Sequence, residues 1–360
     1  MSKVRVAIVG CGGIANGKHL PALKTLPFVH LVAFCDLIPE RAEKAAAEYG
    51  CEGARVYTDY KELLAKETEI EVVHVCTPNR SHSIITVDAL NSGKHVLCEK
   101  PMAKDPAGAQ AMLDAARANN KILSIGYQNR YRADSAYLKS CVDAGDLGEI
   151  YYARALAVRR RAVPTWGVFL NEYEQGGGPL IDIGTHALDL TLWMMNNYEP
   201  EMVVGSAYRK LADTKNAANA WGSWDPEKFT VEDSAFGFIK FKNGATVVLE
   251  SAWALNTLEV EEASCMLCGT KGGADFHDGL RINGERFGKL YVTKPDLKNS
   301  GADFYEGTSV NPPEVEARTF YAAVIEGKPL TVKPEQALVV TRILDAIYES
   351  NRTGKPVFFD

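Results

Sequence analysis

Val4-Arg5-Val6-Ala7-Ile8-Val9-Gly10-Cys11-Gly12-Gly13-Ile14-Ala15 decides the fold of this chain. Val4–Val9 is a run of strand formers broken only by Arg5 and Ala7, and helix-compatible sequence follows to about Leu26. A strand, a Gly-x-Gly-x-x-Ala turn and a helix, in that order, make a dinucleotide-binding fingerprint. Gly10 permits the tight turn, Gly12 lets backbone approach a pyrophosphate, and Ala15 allows the helix to pack closely on the strand. Gly13 and Ile14 open the helix, whose unpaired N–H groups and positive dipole end suit phosphate.

The fingerprint also needs an acid further on. Asp36 ends the next apolar run, Leu31–Cys35, at the expected distance. Its carboxylate can accept from a ribose hydroxyl and repels a 2′-phosphate, so NAD is favoured over NADP. Asp36 also suits the N-cap of a helix beginning at Pro39, and the two roles are compatible. Arg41 can neutralise a phosphate, which leaves dual specificity open.

Strand-like runs continue at Val56, Val72–Cys76, His95–Cys98 and Ile122–Ile125. Helical stretches Glu40–Tyr49, Tyr60–Ala65, Ser81–Asn91 and Ala107–Ala118 alternate with them. That grammar predicts a doubly wound parallel sheet of about six strands, a complete Rossmann domain over residues 1–126. Ligands collect beyond the carboxyl ends of such strands. Thr77 and Asn79 follow one strand and Glu99-Lys100 follow the next, where Pro101 prevents the strand from continuing. A Glu-Lys pair is ordinarily a surface ion pair; at this place a lysine on a rigid strand can act on a small molecule. His82 reads equally well as a cofactor contact and as a helix cap.

The 360 residues, 46% hydrophobic and 24% charged, provide for two cores of ordinary size. A net charge of -6 argues against non-specific nucleic-acid binding, which needs a basic stripe. No run approaches the length of a membrane span. Met1-Ser2-Lys3 enters a strand at once, leaving no room for a signal peptide. The eight cysteines are scattered, several in apolar runs, and Cys265-Met266-Leu267-Cys268 lacks a second ligand pair. A reduced, cytoplasmic protein without metal is expected.

Residues 127–360 follow a different pattern and form the second expected domain, for substrate binding and oligomerisation. A helix over Ser135–Ala144 precedes an alternating strand, Glu149–Val158. Lys242-Asn243-Gly244 joins two strand runs as a hairpin. Two helices, Glu314–Ile325 and Pro334–Asn351, close an α+β domain with an open, mostly antiparallel sheet. Within it, Gly176-Gly177-Gly178-Pro179 leads into a predicted helix, Leu180–Met195. Asp182 and His186 then stand at i and i+4 on one face, where a carboxylate can orient and support an imidazole acting as general base. Asp189 lies a turn further on, but no further ligand pattern completes a metal site.

Four motifs together resemble the glucose–fructose oxidoreductase, inositol dehydrogenase and rhizopine-catabolism (Gfo/Idh/MocA) family. They are Gly10-x-Gly12-Gly13-Ile14-Ala15, Thr77-Pro78-Asn79-x-x-His82, Glu99-Lys100-Pro101 and Gly177-Gly178-Pro179-x-x-Asp182-x-Gly184-x-His186. The resemblance implies NAD(P)-dependent oxidation or reduction of sugars, inositols or related polyols, and a homodimer or homotetramer built on the second domain's sheet. It implies that Lys100, Asp182 and His186 are the catalytic set, with Glu99 and Gln128 near the nicotinamide riboside. Tyr127 is placed with the substrate contacts.

The expected reaction moves a hydride from a secondary alcohol to nicotinamide while His186 takes the hydroxyl proton and Lys100 stabilises the alkoxide. A glycoside hydrolase or lyase using transient oxidation of a ring hydroxyl is the alternative. A non-catalytic NAD sensor has no need of such a set. Arg159-Arg160-Arg161 runs just before Pro164-Thr165-Trp166. Strand alternation would put Arg159 and Arg161 on one face, able to reach an anionic substrate, although a solvated charge run is the commoner fate. Trp166 or Trp221 can stack on a sugar or pack in a core. Ala217–Trp224 reads as a loop insertion.

Overall fold

β1 (Val4–Val9) emerges as the buried centre of a parallel sheet, as its unbroken apolar run requires. The computed structural model describes residues 3–297 and 311–359. Its other first-sheet strands are β2 (Val29–Cys35), β3 (Arg55–Tyr57), β4 (Val72–Val75), β5 (His95–Cys98) and β6 (Leu123–Ile125), in the order β3-β2-β1-β4-β5-β6. Every pair is parallel. The order reverses between β1 and β4, the switch point where such sheets bind ligands. The helix after Gly13 is not uniform: Ala15–His19 is a π-helical turn and Leu20–Lys24 an α-helical one.

A second sheet has nine strands. They are β7 (Ile150–Val158), β8 (Pro200–Tyr208), β9 (Ser234–Phe241), β10 (Thr246–Ala252), β11 (Glu261–Gly269), β12 (Gly272–Asp275), β13 (Arg281–Arg286), β14 (Lys289–Thr293) and β15 (Val357–Phe358). Their order is β14-β13-β12-β11-β7-β10-β9-β8-β15. Only β7 and β10 run parallel; the remaining pairs are antiparallel. Gly244, at φ 89°, makes the β9–β10 turn that Asn-Gly announces.

The chain divides into two compact units, residues 1–128 with 311–338 and residues 129–310 with 339–360. The change of sequence pattern alone assigns everything beyond 126 to the second domain. The helix Pro312–Glu326 instead packs with the first unit, where Ala317, Phe320 and Tyr321 join Leu20, Leu23, Phe34 and Val72 in one core. An amphipathic helix carries no local mark of which core its apolar face will cover.

Two local expectations are corrected. Leu180–Met195 is not one α-helix: Leu180–Gly184 is a π-helical turn and Thr185–Met195 is α-helical. Nor does strand alternation reach the arginines, because β7 ends at Val158 and only an isolated bridge, Arg161 to Ala254, follows. Among the described residues, no helix is long and apolar enough to cross a membrane.

Candidate active site

The glycine turn is shaped from two sides. Gly10 sits at φ 90°, and a Cβ there would come within 2.7 Å of the Cys76 carbonyl. β1 and the end of β4 therefore approach too closely for any other residue. At Gly12 and Gly13 an added Cβ would meet no protein atom within 4 Å, so protein packing does not demand glycine there. Asp36 braces the turn, accepting from the Cys11 N–H at 2.8 Å and from the Ile38 N–H at 2.9 Å. A carboxylate has lone pairs beyond those two, enough for ribose hydroxyls. Open glycines beneath a helix start, with an acid at the neighbouring strand end, fit a dinucleotide. Ile14 and Arg41 are exposed alongside.

Behind Lys100 lies a buried polar network of which only Glu99 is marked in the local sequence. The Lys18 ammonium donates to Glu99 Oε1 at 2.6 Å and lies 2.8 Å from Glu316 Oε2. His19 Nε2 meets Glu99 Oε1 at 2.8 Å, His19 Nδ1 meets His74 Nδ1 at 2.9 Å, and His74 Nε2 meets the Tyr321 hydroxyl at 3.0 Å. The Glu99 carboxylate can only accept, so His19 Nε2 carries the proton of that bond. Burial penalises the Glu99 carboxylate, yet Lys18 and His19 hold its pKa well below the usual range. Burial likewise opposes the Lys18 ammonium, but Glu316 and Glu99 lift its pKa. Burial, with His19 and Lys18 nearby, pushes the His74 pKa well down. Glu99 Oε2 accepts from the backbone N–H of Lys100 at 3.1 Å, so the network grips the base of that residue. Gly126 leaves it room, since a Cβ there would stand 2.9 Å from Glu99 Oε1.

His82 resolves differently from either expectation. It is buried in the helix Asn79–Asn91, and its ring spans the Pro101 carbonyl at 2.7 Å and the Thr77 carbonyl at 2.8 Å. It thus clamps the turn after β4 to the turn after β5. Burial lowers its pKa against the pull of those two carbonyls. Thr77 also accepts a hydrogen bond from Ser81 at 2.8 Å, and Asn79 opens the helix. Gln128 begins a short 3-10 turn and is partly exposed. Tyr127 is 1% exposed, a core side chain with little surface for a ligand.

In the second unit, every residue from Gly177 to Leu192 is buried except Asp182 and His186. The acid and the imidazole alone are partly exposed in that segment, four residues apart across the π-helical turn. The glycines before them serve packing. A Cβ on Gly177 would overlap the Tyr348 hydroxyl, and one on Gly178 the Glu232 carbonyl. Glu232, also missed in the sequence, caps the turn by accepting from Gly178 N–H at 2.8 Å and Leu180 N–H at 3.1 Å; Tyr348 donates to it at 2.8 Å. Trp253 donates its indole N–H to Asp182 Oδ2 at 3.0 Å, another partner invisible in local sequence. Asp189 turns to Arg130, which holds both of its oxygens in a buried bidentate pair. Among the described residues, no group of three or more His, Cys, Asp or Glu is placed to hold a metal.

The arginines are engaged. Arg159 pairs with Glu262 and donates to the Ala162 carbonyl, and Arg161 donates to Asn256 Oδ1 at 2.6 Å. Neutralised by Glu262, Arg159 is a weak candidate for an anionic substrate. Trp166 is 52% exposed.

Comparison with known proteins covers both units. Residues 4–127 match the oxidoreductase family described by its NAD-binding Rossmann fold, and residues 139–359 match that family's C-terminal alpha/beta domain. D-glucoside 3-dehydrogenase of Escherichia coli (strain K12) is 36% identical over 357 residues, 99% of this chain and 97% of the relative. Inositol 2-dehydrogenase of Salmonella paratyphi B is 31% identical over 194 residues, 54% of this chain and 55% of the relative. A levoglucosan dehydrogenase solved with NADH and L-sorbose shares the fold at TM-score 0.83 and 21% identity, covering 100% of both chains.

Proposed function

We propose, for a chain that belongs to the Gfo/Idh/MocA oxidoreductase family, oxidation of a secondary hydroxyl of a sugar, with D-glucosides the first candidates. Near-complete coverage of a D-glucoside 3-dehydrogenase supports that substrate class. The observation that carries the mechanism is the partly exposed pair, Asp182 and His186, on an otherwise buried segment. NAD, when bound, supplies the hydride acceptor. His186 takes the hydroxyl proton at an imidazole nitrogen, and Asp182 supports the imidazolium. Trp253 fixes the Asp182 carboxylate. Lys100, set at its base by Glu99, stabilises the oxygen as it gains negative charge. Glu99 and Gln128 are assigned to the nicotinamide riboside; Gly10 and Ala15 let the turn pack closely, and the rest of the cofactor would be held by Gly12, Gly13, Ile14, Thr77 and Asn79. His82 positions the last two through its clamp.

NAD is the preferred cofactor in this reading, because the Asp36 carboxylate repels a 2′-phosphate. The free thiols suit a reducing cytoplasm. Val204, Phe238 and Val248 stand side by side across β8, β9 and β10, the first two exposed, which supports a homo-oligomer on that face.

The test incubates the protein with NAD and a panel of sugars, inositols, sugar acids and glycosides, following NADH and product together. Stoichiometric NADH with a keto product is expected. Lys100→Ala and His186→Asn should each lower kcat by roughly a hundredfold to ten-thousandfold without weakening NAD binding. NAD-dependent aglycone release without net NADH would instead make the enzyme a hydrolase.

A further inference from the structure

The loop insertion 217–224 has no part in the mechanism above, yet its backbone is tightly secured. Trp224 is its anchor: buried, donating its indole N–H to the Ala212 carbonyl at 2.8 Å, and packed on Phe229 at 5.9 Å. Asn219 grips the neighbouring segment with its amide. It accepts from Val163 N–H at 2.8 Å and donates to the Val163 carbonyl at 2.9 Å. Ala220 N–H donates to the Arg161 carbonyl at 3.0 Å, and the Thr165 hydroxyl to the Trp221 carbonyl at 2.7 Å. These bonds stitch 161–165 to 219–221.

What the stitching presents is a pair of indoles. Trp166 and Trp221 meet edge to face at 4.9 Å and 82°, yet remain 52% and 44% exposed. The Arg159 guanidinium lies 5.4 Å from the Trp221 ring and is itself neutralised by Glu262. Apolar surface held this firmly in water is unfavourable unless something covers it. Rigid aromatic faces give large contact area at little loss of side-chain entropy.

A continuous line of rings ties this pair to the chemistry. Trp166 contacts Phe169 at 5.9 Å, Phe169 contacts Trp253 at 6.4 Å, and Trp253 hydrogen-bonds Asp182. Exposure rises along the line, from 0% at Trp253 to about half at Trp166. The reacting hydroxyl belongs beside Asp182 and His186. A group resting on Trp166 and Trp221 is therefore a different part of the same substrate, two ring contacts further out.

We propose that Trp166 and Trp221 form a subsite for a second, uncharged ring of the substrate, the sugar or aryl group joined to the oxidised ring through its glycosidic oxygen. The inference rests on the carbohydrate reading above and narrows it: ring-bearing glycosides are preferred over methyl glycosides, free sugars and inositols. Arg159 adds no anion preference, because Glu262 occupies it.

The test measures kcat and KM for phenyl β-D-glucoside and methyl β-D-glucoside with the wild type, Trp166→Ala, Trp221→Ala and both Phe variants. The wild type should favour the phenyl glucoside through KM. Each Ala variant should erode that preference by about tenfold, mainly in KM, with Phe restoring most of it. Equal effects on both glucosides, or none, would overturn the subsite. So would a change in oligomeric state in the Ala variants, which would make the indoles a contact between copies of the chain. Oxidation of a free sugar or inositol but of neither glucoside would remove the subsite and leave the oxidoreductase reading intact. No oxidation of any sugar would remove both.

Discussion

Two π-helical turns, Ala15–His19 and Leu180–Gly184, stand where the candidate chemistry is, and they are held in opposite ways. Wide turns of this kind recur at functional sites. The first turns its polar side chains inward: Lys18 and His19 bury themselves against Glu99, and the effect reaches Lys100 through a backbone N–H. The second is packed by glycines, capped by the buried Glu232, and leaves Asp182 partly exposed. A substitution in the first should therefore act on folding, and one in the second on the reaction.

The largest expected effect is on the first turn. Lys18→Met would strand two buried carboxylates, Glu99 and Glu316, and should remove about 3–5 kcal/mol of stability. Asp182→Asn, on a partly exposed side chain, should change stability by less than about 1 kcal/mol while severely slowing turnover. Urea unfolding and steady-state kinetics on both variants decide the matter. Comparable unfolding losses would break the contrast.

A smaller effect is expected at Trp253. Trp253→Phe keeps most of the ring but loses the hydrogen bond to Asp182, and kcat should fall by about tenfold, with rather little change in KM. If KM moved instead of kcat, Trp253 would belong with the outer indoles rather than with the acid.

The smallest effect is a pH dependence. His74 has a pKa held well below 6.5, so the fold keeps it neutral while the unfolded chain takes up a proton there. Its stabilising contribution is complete above pH 6.5 and declines as pH falls below it, by at most about 1.4 kcal/mol per pH unit. Glu99 acts in another window, since its lowered pKa is reached only well below 4.5. Urea midpoints between about pH 7 and pH 5 report the histidine. A flat profile would mean that this ring is not held neutral.

The parts legible in sequence are those whose partners are neighbours along the chain. The β1 run with Gly10, the acid Asp36, the strand-end pair Glu99-Lys100 and the i, i+4 spacing of Asp182 and His186 all announce themselves within a few residues or one strand–helix unit. Lys18 and His19 lie in the helix of the same fingerprint and carry no local mark, because their meaning depends on Glu99, His74 and Glu316. His74 reads as a polar interruption of an apolar strand until Tyr321 arrives from 247 residues away. The partners of Arg159 and Arg161 were illegible for the same reason. An exposed-looking charge run carries no sign that Glu262 and Asn256 will claim it.

By itself the sequence determined the alternating strands and helices of the first unit and the family, because hydrophobic period, turn chemistry and motif spacing are local. Only tertiary structure decided that Pro312–Glu326 joins the first core, that His82 clamps two turns, and that Trp253 holds Asp182. Buried charges and hydrogen bonds must be satisfied by whatever the fold brings near, and which groups those are is a property of the folded chain.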